Sequence, residues 1–551
     1  MKKQYFFVLG IFLLGFACSP SKKQVDLIIF NTKIYSADSS FTTHEALVVK
    51  DSKILDIGTS NVILESYQSE NQLDGTGKFI YPGFYDAHCH FYNLGYAMQQ
   101  VDLVGTTSFQ EIVQKLVDYK QQNPDKQWIL GRGWDQNDWK NQSFPNRDTL
   151  DLLFPETPIY LVRIDGHAAL ANGAALKLGR AGEKPLIEGG QVTGGLVETK
   201  NGKTTGILID NAMRLVSSVI PPPNEQEIRQ ILLTAQQTCL ENGLTTIADA
   251  GLGKEIIELI DKMQKDNELK IKVYAMVSAT RENVAHFIKK GIYKTDKLNV
   301  RSFKIYADGA LGSRGACLIK PYSDDPKTTG FLLSRSDELE ANFQLIANSN
   351  FQANTHAIGD SANRIILDMY GKMLKGTNDR RWRIEHAQVV SQEDFVKFKQ
   401  YNIIPSVQPT HCTSDMYWAG ARLGFPRVRT AYAYQQLYEQ NKILALGSDF
   451  PVEAVNPLFG FHAAVARQDA KNEPKEGFQM ENAISRENAL RGMTIWAAYA
   501  NFEENERGSI EKGKQADFVI LEKDLMTTDK EELRAIKVLQ TYINGEKVWG
   551  K

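Results

Sequence analysis

The chain has no surplus of either charge: its 551 residues carry 64 Lys and Arg against 66 Asp and Glu, for a formal net charge of −2. That balance removes the electrostatic footprint a polyanion would need, so no nucleic-acid partner is expected. Cysteine is scarce. The five stand at Cys18, Cys89, Cys239, Cys317 and Cys412, each isolated in sequence, and no disulfide framework is expected from so scattered a set. The apolar stretch near the N-terminus, Tyr5 to Ala17, falls short of the roughly 20 residues that a membrane-spanning helix needs. Histidine is rare too, nine in all, yet His88 and His90 stand two residues apart at the end of an apolar run, "YPGFYDAHCHF".

What is present is otherwise ordinary for a folded protein with a large core: 42% hydrophobic and 24% charged residues. Behind Lys2 and Lys3, the stretch from Tyr5 reads as the apolar region of a signal peptide, residues 1–18, which predicts export. Ala17 before Cys18 resembles the lipobox of bacterial lipoproteins, although Gly15 stands where that motif usually carries Leu. The resemblance implies a lipidated Cys18 and a periplasmic or membrane-tethered protein that meets the membrane only through this anchor; ordinary cleavage with full release is the alternative. "SPSKKQ", residues 19–24, then reads as a short tether.

From Val25 the chain reads as short antiparallel strands, and the far end repeats this style, with Asn544-Gly545 as a hairpin signal. Residues 25–79 and 505–551 are therefore expected to meet in one composite β domain, a β-sandwich. No short internal repeat is visible. Between the two ends, eight segments look like strands that finish on a polar residue: "KFIYPGFYDAHCH", "GLTTIADAG", "IKVYAMVSA", "VRSFKIYADG", "FQANTHAIGD", "WRIEHAQ", "IIPSVQPTH" and "ILALGSDFP". Most of the stretches between them carry helical periodicity. Eight such units predict an α/β fold, a (β/α)8 TIM-like barrel over residues 80–103 and 225–504, with its active site at the C-terminal strand ends. The long gap after the first strand exceeds any plain crossover, so residues 104–224 are read as an insertion, a lid or cap over the mouth, with a peripheral decoration as the alternative. Trp134, Trp139 and Trp418 suggest an aromatic-lined pocket, although tryptophan is as often plain core.

The strand ends bring His88, His90, Lys304, His356, His386 and Asp449 to one mouth. On a strand, residues two apart share a face, so His88 and His90 can converge on an ion while Cys89 points away. Any one of the six could be structural. Together, ligand-type groups in one buried place are costly without cations to compensate them, which favours a metal site.

The order HxH, Lys, His, His, Asp on strands one, four, five, six and eight resembles the amidohydrolase superfamily. The phrases "GWDQNDW", "FKIYADGALGSRGA", "HAIGD", "RIEHAQ", "SVQPTH" and "GSDFPV" resemble amidohydrolase family 3, the YtcJ-like group that includes N-substituted formamide deformylases. The resemblance runs from about Val25 nearly to the C-terminus. It implies two divalent ions, zinc first, with manganese, iron or nickel as alternatives. His88, His90 and Asp449 would hold one ion and His356 and His386 the other, with Lys304 bridging as a carbamate formed with CO2, since a protonated lysine has no lone pair. A plain salt bridge at Lys304 would leave one metal.

The expected function is a metal-dependent amidohydrolase that cleaves a C–N bond of an amide or N-formyl small molecule through an activated hydroxide, with Asp449 as general acid and base. His411, Asp308 and Arg314 are further candidates for polarising the carbonyl or anchoring substrate, with support of the loop as the alternative, and His167 for reaching in from the insertion, with a structural role as the alternative. His44, His286 and His462 read as structural. The rivals are an ester or lactone hydrolase and a catalytically silent surface barrel that captures a ligand. A homodimer is the default expectation.

Overall fold

A computed structural model describes residues 22–179, 191–375 and 378–550. The expected signal peptide, Cys18 and the first half of the tether lie outside them. Eight parallel strands make the barrel: β1 Phe84–Cys89, β2 Leu244–Leu252, β3 Lys272–Ser278, β4 Leu298–Tyr306, β5 Gln352–Ala357, β6 Arg383–His386, β7 Ile404–Val407 and β8 Ala445–Leu446, and a short ninth strand of the sheet, Tyr293–Lys294, pairs antiparallel with β4. Helices such as Lys254–Lys265 and Asp360–Leu374 cover the outside. The strands are buried along nearly their whole length, which is why they read as apolar runs rather than alternating ones. The sheet is a nearly closed α/β barrel of the TIM type.

No ladder joins β8 to β1 among the described residues. The ring closes just beyond β8 instead, where the Asp449 N–H donates to the His88 carbonyl at 2.8 Å and the His90 N–H donates to the Phe450 carbonyl at 2.8 Å. Asp86 pins the same seam, accepting the Ser448 hydroxyl at 2.6 Å and the His88 N–H at 3.0 Å. Below the mouth, Tyr85, Ala87, Ala248, Ala250, Tyr274 and Met276 cluster with Ala497, Ala498 and Ala500. The wholly buried Arg383 crosses this region, donating to Glu385 Oε1 at 2.7 Å, Asn501 Oδ1 at 2.6 Å and the Ala87 carbonyl at 2.9 Å.

Strands from both ends of the chain share one six-stranded sheet, in which Phe79–Pro82 pairs antiparallel with Phe518–Leu521. A four-stranded sheet packs against it through Ile29, Leu47, Ile80, Phe518 and Ile520. The hairpin that ends this domain turns at Asn544 and Gly545, both at positive φ, as a two-residue turn demands. Between β1 and β2, a separate seven-stranded sheet runs from Val101–Asp102 to Lys203–Asp210 and carries its own core of Leu103, Ile129, Leu161 and Ile207. Trp134 and Trp139 belong to that core rather than to a pocket, with their indole N–H groups given to the Leu161 and Thr106 carbonyls. Cys89, Cys239, Cys317 and Cys412 are all free.

Candidate metal centre

The pairing of β1 with β2 shifts register between Asp86 and Cys89. Past the shift, His88 faces the mouth while Cys89 packs into the hydrophobic core. His90 lies one residue beyond the strand, at the start of helix Phe91–Ala97. His386 ends β6 at φ 75° and Asp449 follows β8 at φ 63°, a left-handed backbone that costs energy for any residue but glycine. Such strain at two facing strand ends is a common mark of a functional site.

One ligand atom each from His88, His386 and Asp449 lie within 4.8 Å of one another, all buried, and these form the metal-type cluster among the described residues. Asp449 Oδ1 sits 3.1 Å from His90 Nε2 and 3.5 Å from His88 Nε2 yet accepts no hydrogen bond, and His386 Nδ1 is likewise buried without a partner. Lys304 Nζ stands 3.0 Å from His88 Nε2. His356 stacks edge-on to His386 with ring centres 4.5 Å apart, and its Nε2 lies 3.4 Å from the Gly309 carbonyl, leaving Nδ1 as its other ring nitrogen. All six predicted ligands therefore meet at one mouth.

The charge states suit a cation. Burial, with Lys304 adding, pushes His88 down to about 4, and burial likewise holds His356 and His386 well below the ordinary imidazole value, so these rings are neutral donors. Burial also pushes Lys304 down to about 8, against the pull of Glu385 and Asp449. For Asp449 burial works upward, but the neighbouring His411 and His90 hold it well below the usual carboxylate range. A set of neutral imidazoles, one carboxylate and a deprotonatable lysine, with lone pairs left over, fits divalent cations.

Behind this set stand residues that the sequence reading passed over. Glu385 Oε2 lies 2.5 Å from His88 Nδ1, which leaves Nε2 as the candidate ligand atom, and Oε1 takes Arg383. Its signal was an acid and a histidine adjacent in a wholly buried four-residue strand, "RIEH". Glu453 accepts the Ser414 hydroxyl at 2.7 Å and lies 3.1 Å from His411 Nδ1. His411 is in the first turn of helix Pro409–Leu423 rather than at the end of β7, and its Nε2 is 3.3 Å from Asp449 Oδ2. Burial opposes its charge, but Asp449 and Glu453 raise it well above the usual imidazole value.

A cavity of about 470 Å³ opens between the mouth and the inserted sheet. His167, Arg163, Leu311, His411, Trp418 and Glu453 are among its walls. Asp308 and Arg314 are not. The Asp308 carboxylate accepts the backbone N–H groups of Ile358, Gly359 and Cys317 at 2.8–2.9 Å, which ties the loops after β4 and β5 together. Arg314 turns away to pair with Asp324 at 2.9 Å. Their positions fit loop support better than substrate anchoring. Of the three other histidines, His462 is buried in helix Pro457–Ala466, His286 lies on helix Arg281–Lys290 and His44 on Thr43–His44, none of them at the mouth.

The sequence profile of the amidohydrolase family matches residues 73–549. Protein LONG AFTER FAR-RED 3 of Arabidopsis thaliana is 34% identical over 96% of this chain and 92% of its own length. The N-substituted formamide deformylase of Arthrobacter pascens is 25% identical, covering 94% and 97%. A crystal structure described as a metal-dependent hydrolase from Pyrococcus horikoshii superposes with a TM-score of 0.74 at 25% identity, over 92% of this chain and 99% of that one.

Proposed function

The chain belongs to the amidohydrolase family, and from that premise we propose that it is a metal-dependent hydrolase that cleaves the C–N bond of an amide or N-formyl small molecule. The observation that carries this reading is the buried triad of His88, His386 and Asp449, with His90, Lys304 and His356 at its edges and lone pairs uncommitted. His88, His90 and Asp449 would hold one divalent ion, and His356 and His386 a second. Lys304, with a neutral amine available, would bridge them as a carbamate. Such ions supply Lewis acidity and a water nucleophile at neutral pH.

This chain's own residues do the rest. Glu385 fixes the ring of His88. Asp449, within reach of His411 Nε2, is placed to take a proton and return it to the leaving nitrogen, and Glu453 holds His411 from behind. The C–N assignment is supported by the resemblance to the formamide deformylase. Export as a lipoprotein anchored at Cys18 belongs to the same proposal and is supported by the Tyr5–Ala17 stretch alone.

The test is metal analysis of the purified protein, then turnover of matched N-formyl amides and esters by wild type and His88→Ala. Two ions per chain, amide turnover and its loss in the variant are the expected results. Ester turnover alone would move the assignment to an esterase, and stable metal binding without turnover on either panel would favour a ligand-capturing barrel.

A further inference from the structure

The inserted sheet places one histidine in the cavity beside the proposed second-ion ligands. His167 lies in the turn between strands Ile159–Arg163 and Ala168–Ala171, lines the cavity, and has its ring centre 5.2 Å from that of His356. Its backbone is fixed by its own N–H, which donates to Asp165 Oδ1 at 3.0 Å, and by its carbonyl, which takes the Asp210 N–H at 2.9 Å. Its Nδ1 is 2.6 Å from Asp210 Oδ1. One ring nitrogen, Nε2, is left for a ligand.

Asp210 is itself held against preference. It closes strand Lys203–Asp210 at φ 50°, a conformation that L side chains adopt only under constraint. Its second oxygen, Oδ2, is buried with no hydrogen-bond partner. What it meets instead is a cradle of glycine in the loop after β4: a Cβ added at Gly309 or at Gly315 would come within 2.4 Å of Oδ2. The glycines of "YADGALGSRGA" thus make room for a carboxylate from the insertion, and the carboxylate aims a histidine back across the mouth.

We propose that His167 is a substrate-contacting residue supplied by the insertion, and that Asp210, seated against Gly309 and Gly315, is the positioning residue that registers it over the metal centre. The kinetic arm of the test rests on the hydrolase reading above; the exchange arm does not. In wild type turning over an N-formyl amide, His167→Ala is expected to lower kcat/KM about 10²-fold with metal content unchanged. Asp210→Asn and Gly315→Ala are each expected to cost about tenfold, and Gly315→Ala is expected to add little on top of His167→Ala, because both act through one contact.

Hydrogen exchange supplies the readout that needs no substrate. Asp210→Asn and Gly315→Ala should raise exchange together in residues 163–171 and 308–316, with the thermal midpoint close to that of wild type. Unchanged exchange in both segments overturns the proposal, as does a His167→Ala enzyme within twofold of wild type at full metal content. A wild type that turns over nothing, with coupled exchange intact, would sink the hydrolase reading and leave the Asp210 seat standing.

Discussion

Adjacent strands β3 and β4 each bury a lysine, and the two lysines are partnered in opposite ways. Lys272, the first residue of β3, donates to Asp517 Oδ2 at 2.6 Å and Oδ1 at 2.9 Å, to Gln515 Oε1 at 2.6 Å and to Asn544 Oδ1 at 2.6 Å. Lys304, near the other end of β4, has only His88 Nε2 at 3.0 Å and the face of Tyr306 at 4.8 Å. Burial pushes both down to about 8. Around Lys272, at the lower end of the barrel, the network is finished, and every donor of the lysine has an acceptor. The upper end is not finished: orphaned His386 Nδ1, an unbonded Asp449 oxygen and a lysine without a carboxylate sit together. Buried polar groups are ordinarily satisfied, so a cluster that leaves its demands open is built around something that binds.

The largest expected effect is at the unfinished end. Lys304→Ala should lower kcat/KM about 10⁴-fold, roughly 5 kcal/mol of lost transition-state stabilisation, because the proposed second ion would lose its bridging ligand. Unfolding in the metal-free state should be unchanged or slightly harder, since a desolvated amine with no acid partner is removed. Metal analysis, progress curves and chelated thermal melts check this. Wild-type metal content in the variant would erase the contrast between the lysines.

The finished end should answer in the opposite currency. Lys272→Met leaves Asp517 buried without its cation and should destabilise the fold by about 3 kcal/mol, near the low end for a broken buried pair. The Asn544 N–H still donates to Asp517 Oδ1 at 2.8 Å and softens the loss. Denaturant melts read it, and activity per folded molecule below the transition should stay within twofold of wild type. A Lys272→Met enzyme that folds normally but fails to bind metal would show that the two ends are not separable.

How much of this could be read from the sequence follows the same divide. The candidate ligands His88, His356, His386 and Asp449 were legible because each ends an apolar run whose periodicity already marks a strand. The barrel followed from the count of such runs. Asp210 was not legible, since its meaning depends on Gly309 and Gly315, which lie far along the chain and meet it only in the fold. Trp134 and Trp139 misled because a polar, aromatic stretch looks the same whether it lines a pocket or fills the core of an inserted sheet. His411 was placed one turn early because Pro409 begins a helix where the strand pattern seemed to continue.

Removing metal should separate the ends again. Chelation should lower the stability of wild type by about 2.7 kcal/mol when free metal had stood near 100 times its dissociation constant, and the same increment should appear in Lys272→Met. It should shrink in Lys304→Ala, which keeps only the proposed ligands of the first ion. Paired thermal melts with and without chelator make the comparison within one preparation, and an equal increment in all three proteins would show that Lys304 holds no stabilising ion.

The smallest effect, and the sharpest use of the comparison, is at Glu385, the residue that belongs to both ends. One carboxylate oxygen faces His88 at the mouth and the other takes Arg383, whose remaining bonds run to Asn501 and the Ala87 carbonyl below. Glu385→Gln keeps the shape and removes the charge. Metal affinity should fall about 10- to 100-fold, because the His88 ring exchanges a charged carboxylate acceptor, which orients it and raises its basicity, for a neutral amide. Stability should fall as well, since Arg383 is wholly buried and keeps only neutral partners, as with any buried pair that loses one charge. If affinity drops while the melt does not move, the network below the mouth is self-sufficient and the two ends are independent devices. If both move together, Glu385 is the single group through which the finished end holds the unfinished one in place.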